Sequence, residues 1–299
     1  MAQQVLRGVF TPLITPFANG AVDYAAYTGL VDWQIAQGAH GLVVGGTSGE
    51  PMALSIAERM NLLRVALSAA RRRVPVIAAT GAASVADTLA LTRHAGEAGA
   101  AAVLALTPPY AKPSQAGLLA TFDAIARATD RPILVYQITS RTNVTMSLET
   151  LVELTRRHGH IVGMKQSDND RDLVRAALRE IGPGFRAFMG LFDVAWDMVE
   201  EGAAGFIVAL SNVIPGQIRE TFEAAEAGDR VGAGNAYERI APLVVVGAMD
   251  TNPVPVKYMA WRMGLIPSPE CRLPLTPMED RVAARIDVAL DAAGLISHG

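Results

Sequence analysis

The sequence predicts an α/β protein of the (β/α)8 TIM-barrel class with a helical C-terminal appendage. Over the first 228 of its 299 residues, eight short apolar runs alternate with amphipathic segments of helical period. The runs are continuously apolar, as in parallel strands that are covered on both faces. A barrel of this class usually takes about 250 residues, so one barrel with an extension accounts for the chain.

The apolar runs and the helix start signals define the predicted elements. Ser84 and Ser147 each precede a helical segment, and Ser55 with Glu58 has the form of a capping box. A doubly wound sheet is the alternative, but the glycine-rich turns at residues 45–49 and 81–83 do not contain G-x-G-x-x-G. The eight predicted strands are residues 8–15, 41–46, 74–80, 101–107, 132–138, 161–165, 185–190 and 205–210.

Only helical patterns remain beyond residue 228. They lie near residues 231–246, 252–264 and 277–293, and no low-complexity linker precedes them. We therefore predict that residues 1–228 form the barrel and carry the active site. Residues 229–299 are expected to form a helical extension that packs on the barrel and does not fold by itself.

Composition and charge indicate a globular protein without membrane or nucleic-acid partners. The chain is 51% hydrophobic and 18% charged, with a net charge of -3. It has no continuous apolar span of about 18 residues and no signal-peptide pattern at its start. The basic run Arg71–Arg73 ends a predicted helix, where the helix dipole favours cations. A single cysteine, Cys271, excludes an internal disulfide. We expect a soluble, cytoplasmic protein.

The active site of such a barrel lies at the C-terminal ends of its strands. The sixth predicted strand ends at Lys165, one of only three lysines. An amine that is partly withdrawn from water is more readily neutral, and a neutral amine can attack a ketone to form an imine. By position alone, a solvent-exposed lysine at the end of a strand is an equally good interpretation. The other two lysines, Lys112 and Lys257, are predicted to be surface residues.

Other polar side chains follow the predicted strands. Tyr136 and Tyr110 can relay protons, although for each tyrosine alone a packed aromatic ring is the simpler interpretation. The Thr47-Ser48 turn offers two hydroxyls and several N–H groups that suit a carboxylate. Arg141 can bind a carboxylate through two hydrogen bonds, and a surface ion pair is the equal alternative.

The sequence predicts no metal site and no serine nucleophile. Its five histidines form neither H-x-x-x-H nor H-E-x-x-H. The surroundings of Ser48 lack the G-x-S-x-G spacing of a nucleophile elbow.

Six motifs in order resemble the dihydrodipicolinate synthase / N-acetylneuraminate lyase family over nearly the full length of the chain. Each motif is weak alone, but the series is specific. The resemblance implies a (β/α)8 barrel with C-terminal helices, usually a homotetramer, that uses no metal or organic cofactor. The motifs are Gly46-Thr47-Ser48-Gly49-Glu50, residues 108–115, Tyr136 with Ser140-Arg141-Thr142, Gly163-Met164-Lys165, Asn252-Pro253-Val254-Pro255-Val256-Lys257 and Arg272-Leu273-Pro274-Leu275.

The resemblance also implies the catalytic residues. Lys165 matches the lysine that forms an imine with a 2-oxo acid such as pyruvate. Tyr136 matches the tyrosine that moves protons at that imine. Thr47 and Tyr110 match the other members of the proton relay, and Tyr110 is expected to reach the site of a neighbouring subunit.

Four further positions match the family's substrate-binding residues. Ser48 takes the position that holds the pyruvate carboxylate, and Arg141 resembles the arginine that receives the carboxylate of the second substrate, an aldehyde. Gly190 and Ile207 match residues that line the pocket.

Two departures affect the region of the second substrate. The family usually has Asn-x-Pro after the tyrosine, whereas this chain has Gln137-Ile138-Thr139. The synthases usually continue beyond the lysine with Glu and a Thr-Gly-Asp-like turn, whereas this chain has residues Gln166 to Asp170. A pyruvate-condensing synthase is the leading hypothesis. The alternatives are a 2-keto-3-deoxy sugar acid aldolase or dehydratase, a retro-aldolase like the N-acetylneuraminate lyases, and a non-catalytic barrel that binds 2-oxo acids.

Overall fold

A computed structural model describes residues 6–192 and 196–296 and confirms the predicted barrel. Eight parallel strands close into a ring in which each strand pairs with its neighbours along the chain and the first pairs with the last. The strands are β1 (Gly8–Pro12), β2 (Gly41–Val44), β3 (Val76–Ala79), β4 (Ala102–Leu106), β5 (Ile133–Gln137), β6 (Ile161–Gln166), β7 (Arg186–Met189) and β8 (Gly205–Phe206).

Helices follow the strands and continue as the predicted C-terminal series. Between β7 and β8, the described residues contain only a 3-10 turn, Trp196–Val199. The helices are α1 (Tyr24–Ala36), α2 (Ile56–Ala70), α3 (Val85–Ala98), α4 (Gln115–Arg127), α5 (Thr139–Thr142), α6 (Leu148–Arg157), α7 (Arg171–Ile181), α8 (Pro215–Glu226), α9 (Arg230–Gly247), α10 (Val254–Arg262) and α11 (Asp280–Ala292).

The predicted helix starts are confirmed, whereas some strand ends differ. Ser55 and Glu58 form the predicted capping box, and the Ser84 and Ser147 side chains accept backbone hydrogen bonds at the starts of α3 and α6. Strand β1 stops at Pro12, which has no N–H to donate to a sheet. The predicted strand 205–210 is shorter, because the chain turns into a 3-10 helix at Ala209–Asn212.

Two apolar clusters bury the strands on both faces, which explains their continuously apolar sequences. The smaller cluster fills the barrel interior and includes Phe10, Leu104, Phe188 and Ile207. The larger cluster lies between the strands and the helices, and it includes residues of α9, α10 and α11. The C-terminal helices thus share the core of the barrel. The predicted boundary after residue 228 lies between α8 and α9, and the division into two parts remains a prediction.

None of the helices in the described ranges combines the length and apolar character that spanning a membrane would need.

Candidate active site

Lys165 and Tyr136 lie side by side in the barrel. They are paired residues on the adjacent parallel strands β6 and β5. Both side chains are buried, and Lys165 Nζ lies 4.2 Å from the centroid of the Tyr136 ring. The interpretation of Lys165 as a solvent-exposed lysine is therefore wrong. Its amine is held against an aromatic face, largely out of water.

The Tyr136 hydroxyl is connected to the turn that follows β2. Its oxygen lies 3.1 Å from Thr47 Oγ1, within hydrogen-bonding distance. Burial alone would raise the pKa of Tyr136. The positive charge of Lys165 and the hydrogen bond with Thr47 have the larger, opposite effect, so the pKa lies below its ordinary value. A phenol with a lowered pKa releases its proton more readily, as a proton relay requires.

Gly190 lies against Lys165 at the end of β7. A Cβ atom at this position would lie 1.8 Å from Ser167 Oγ and 2.9 Å from Lys165 Cε. Only glycine therefore fits beside the lysine. Ser167 Oγ is itself buried and has no hydrogen-bond acceptor or donor in suitable geometry among the described residues. Ile207, just beyond β8, is fully buried in the interior cluster.

Ser48 and Arg141 both form hydrogen bonds with Asn252, which lies in the turn before α10. Ser48 Oγ lies 3.2 Å from Asn252 Nδ2, and Arg141 Nη2 donates to the Asn252 carbonyl at 3.1 Å. Ser48 is buried in a 3-10 turn, Thr47–Gly49, whose first N–H groups have no acceptor within the turn. Arg141 is exposed on α5. The C-terminal part of the chain thus supports both predicted carboxylate-binding residues.

A cavity of about 280 Å³ opens between these residues and the C-terminal segment. Thr47 lies on its wall and also contacts Tyr136, so it links the cavity to the buried pair. Arg141 lies on the same wall. The cavity provides space for a small substrate between Thr47 and an exposed guanidinium. Its other lining residues are Glu50, Pro51, Met52, Ala53, Leu106, Pro109, Ile138, Thr142, Asn252, Pro253, Arg272, Pro274 and Leu275.

Lys257 is fully buried, so its prediction as a surface residue was wrong. Its Nζ donates to Glu50 Oε1 at 2.7 Å and to the Glu270 carbonyl, and it lies 4.2 Å from the Phe17 ring centroid. The second oxygen of Glu50 accepts the Arg272 N–H at 2.9 Å. A lysine can be buried here because a buried carboxylate neutralises it. Lys112 is exposed, as predicted.

Tyr110 does not join the site within its own chain. Its side chain is 95% exposed, which contradicts the interpretation as a packed aromatic residue. Its φ of 69° lies in the left-handed region, which a bulky side chain rarely adopts. Backbone strain of this kind is found preferentially at functional sites.

Three residues near the site were not assigned a role from the sequence. Asn252 belongs to one of the family motifs, so a signal for it was present. Ser167 and Asp168 lie in the segment that departs from the family, and nothing in the spacing of residues indicated what they contact.

In the part of the chain that the structure describes, no three histidine, cysteine, aspartate or glutamate side chains lie close enough together to hold a metal ion. His158 Nε2 lies 2.8 Å from Asp123 Oδ1, and His160 Nε2 lies 3.0 Å from the Ala126 carbonyl. Both histidines thus join the loop before β6 to α4.

A closed (β/α)8 barrel with a buried lysine beside a tyrosine at the C-terminal ends of its strands has the architecture of a class I aldolase-type lyase, and the comparisons with known proteins support this class. Residues 5–293 match the sequence profile of the Dihydrodipicolinate synthetase family. The chain belongs to this family.

Curated relatives and solved structures are similar over nearly the whole chain. The 4-hydroxy-tetrahydrodipicolinate synthase of Rhodospirillum centenum is 39% identical over 98% of this chain and 100% of its own length. The dihydrodipicolinate synthase structure from Aquifex aeolicus has a TM-score of 0.95 at 33% identity and covers 98% of this chain and 100% of its own. A third similar protein, described as the first monomeric dihydrodipicolinate synthase variant, has a TM-score of 0.93 at 32% identity, with 97% of each chain covered.

Proposed function

We propose that this protein is a 4-hydroxy-tetrahydrodipicolinate synthase, which condenses pyruvate with aspartate semialdehyde. The observation that carries the proposal is the placement of Lys165 against Tyr136, with Thr47 bonded to Tyr136 and facing the cavity that Arg141 also lines. The relatives named as synthases at 36–39% identity support this assignment.

Lys165 acts first as a nucleophile. Its neutral amine attacks C2 of pyruvate, and loss of water gives an iminium ion that withdraws electrons from C3. Ser48 binds the pyruvate carboxylate through its hydroxyl and N–H. Removal of a C3 proton then gives an enamine, and Tyr136 with Thr47 carries protons to and from the reacting atoms.

The enamine carbon attacks the carbonyl carbon of the aldehyde, and the new alkoxide takes a proton from the relay. Arg141 binds the carboxylate of the aldehyde through its fork of N–H groups. The amino group of this substrate then attacks C2 and displaces Lys165, which closes a ring and frees the enzyme. Gly190 and Ile207 leave space at the reacting end of the site.

The active protein is a homotetramer in this proposal, with Tyr110 completing the relay of a neighbouring subunit. The exposure and unusual backbone conformation of Tyr110 support such a role, and the existence of a monomeric variant of a similar enzyme implies that its parent associates. The covalent imine supplies the electron sink, so no metal or organic cofactor is required. The cytoplasmic location remains a prediction from the sequence.

A 2-keto-3-deoxy sugar acid aldolase or dehydratase is a second candidate, because one observation favours it. The buried hydroxyl of Ser167 has no partner and lies beside Lys165 and Gly190. A substrate with several hydroxyl groups would provide that partner. The semialdehyde does not carry such groups.

The first prediction separates these candidates through Arg141. When pyruvate is offered with a panel of aldehydes and products are scored by mass, aspartate semialdehyde should be the best substrate. Arg141→Ala should then lower kcat/KM for it by roughly 10- to 150-fold, since a charge-assisted hydrogen bond contributes about 1.5–3 kcal/mol. Imine formation with pyruvate should remain.

An arginine remote from the cavity provides the control. Arg179, which is 69% exposed and pairs with Glu180 near the end of α7, should be replaceable by alanine with unchanged kinetics. Unchanged aldehyde kinetics in Arg141→Ala, together with turnover of a 2-keto-3-deoxy sugar acid, would contradict the synthase assignment.

The second prediction concerns Tyr110. Tyr110→Phe should lower kcat more than it raises either KM, because a relay hydroxyl acts mainly during proton transfer. If the residue completes a neighbour's site, mixing Tyr110→Phe with Lys165→Ala subunits should restore part of the activity, since mixed oligomers contain some sites with both residues intact. Native mass spectrometry would verify subunit exchange. No recovery despite exchange would mean that Tyr110 is not shared between subunits.

A further inference from the structure

Asp168 binds the start of the short helix that carries Arg141. Its Oδ1 accepts the Thr139 N–H at 2.6 Å and the Ser140 N–H at 3.4 Å. Its Oδ2 accepts the Thr139 hydroxyl at 2.9 Å. Both carboxylate oxygens are therefore used on the first two residues of α5.

Asp168 is itself held by a barrel strand. Its N–H donates to Gln166 Oε1 at 2.9 Å, and Gln166 is a buried residue of β6 in register with Gln137 of β5. The Gln137 side chain accepts the Met146 N–H at 2.9 Å beyond the other end of α5. Side chains of two neighbouring strands thus fix the positions on either side of the helix.

Helix α5 needs such support because it is a single turn. One turn fixes several backbone dihedrals in return for very few hydrogen bonds, so it is not stable in isolation. Only its own turn bonds, such as Thr142 N–H to the Ile138 carbonyl, hold it internally. Without Asp168, the Thr139 N–H would lack its acceptor, and the position of Arg141 would be less well defined.

The two departures from the family meet at this contact. Thr139 stands where the family usually has proline, which has a fixed φ and no N–H. Asp168 lies in the segment that replaces the Thr-Gly-Asp-like turn of the synthases, and it accepts the N–H that a proline would not have. The substitution at 139 creates a donor and the one at 168 supplies its acceptor, although the two positions are 29 residues apart.

We propose that Asp168 is a positioning residue that holds α5 so that Arg141 binds the carboxylate of the second substrate, and that it replaces the family's proline in this task. Asp168 does not line the cavity, so it acts through Arg141. The inference rests on the proposed function, because it takes Arg141 as the residue that receives the aldehyde.

The test compares four variants of the full-length protein with pyruvate and aspartate semialdehyde. Asp168→Ala should raise KM for the aldehyde by roughly tenfold or more, the effect of losing one charge-assisted bond, while kcat changes less. Asp168→Asn keeps one acceptor oxygen. Its KM for the aldehyde should therefore lie between those of Asp168→Ala and the wild type. Pyruvate imine trapping should be unchanged in both.

A compensating variant makes the test specific. Thr139→Pro combined with Asp168→Ala should restore the aldehyde KM to within a few-fold of the wild type, because proline suits the first helical position and needs no acceptor. Ile138, before it, lies outside the helical region at φ -149° and ψ 80°, so it does not adopt the α conformation that a following proline disfavours. The control is Asp170→Ala, since the Asp170 side chain accepts the Leu173 N–H and so caps α7. Its aldehyde KM should not change.

The outcomes separate this inference from the proposed function. An unchanged aldehyde KM in Asp168→Ala, an equal loss of pyruvate imine formation, or no recovery in the double variant would each overturn the inference. If the wild type does not condense pyruvate with aspartate semialdehyde, the proposed function fails. Hydrogen exchange in residues 138–143 then decides: faster exchange in Asp168→Ala supports the role in holding α5, and unchanged exchange overturns it.

Discussion

Lys165→Ala is expected to lower kcat with pyruvate and aspartate semialdehyde by roughly 10⁴-fold or more, because the covalent route is lost along with the buried amine that faces Tyr136. Lys165→Arg keeps the positive charge but cannot form an imine, since a guanidinium does not lose its proton in proteins. It should be equally inactive. A purely electrostatic role for Lys165 would instead leave the arginine variant largely active.

Borohydride reduction in the presence of pyruvate gives the direct measurement for Lys165. Intact mass should show one reduced pyruvate adduct per chain, and peptide mapping should place it on Lys165. The chain contains a useful internal control, because Lys112 is exposed and would be labelled by non-specific reductive amination. Labelling of Lys112 alone, or no adduct on folded protein, would contradict the imine mechanism.

Lys257→Met is expected to destabilise the protein by about 3–5 kcal/mol, because it leaves the buried Glu50 carboxylate without its cation. Glu50→Gln should have a similar effect through the unpaired ammonium. The double variant should be more stable than the sum of the two single changes predicts, since it removes both buried charges. Urea unfolding at a fixed subunit concentration measures the free energy of unfolding of each variant.

A surface ion pair provides the matched control for this cycle. Arg239 and Glu220 are paired on the surface, and their side chains are 57% and 58% exposed. Exposed pairs typically contribute about 0–1 kcal/mol, so Arg239→Met should have little effect. If Lys257→Met cost no more than this control, the buried pair would not be the element that joins the C-terminal segment to the barrel.

The loss of this pair should also weaken pyruvate binding. Glu50 follows the Thr47–Gly49 turn directly, and Lys257 lies on α10 just after Asn252, which contacts Ser48. The ion pair thus joins the two segments that place Ser48.

The fold was predictable because its signal is local and repeated. Apolar runs of strand length, helical periodicity and serine caps recur along the chain, and each is set by neighbouring residues. The predicted strand ends differ from the structure where backbone geometry decides, as at Pro12 and at the 3-10 turn after β8. Between β7 and β8, the predicted alternation also differs from the structure, since the residues described there form only the 3-10 turn Trp196–Val199.

The residues of the site were also predicted, but mainly through the family motifs. From its position at a strand end, Lys165 could equally be a solvent-exposed lysine or an amine partly withdrawn from water. The structure shows that its side chain is buried. Thr47, Ser48, Arg141, Gly190 and Ile207 lie where the predicted barrel requires, near the C-terminal ends of the strands. Their roles remain proposals.

The sequence by itself determined the class of fold, the order of the elements and the residues available for chemistry. The tertiary structure alone decided which distant groups meet. From the sequence, Lys257 is predicted to be a surface residue. In the structure it is buried, because Glu50, 207 residues away along the chain, neutralises its charge in the core. Asp168 contacts Thr139 because the neighbouring strands β5 and β6 bring the segments that follow them together. Burial of a charge and satisfaction of a backbone donor depend on partners in space, and local sequence patterns do not specify those partners.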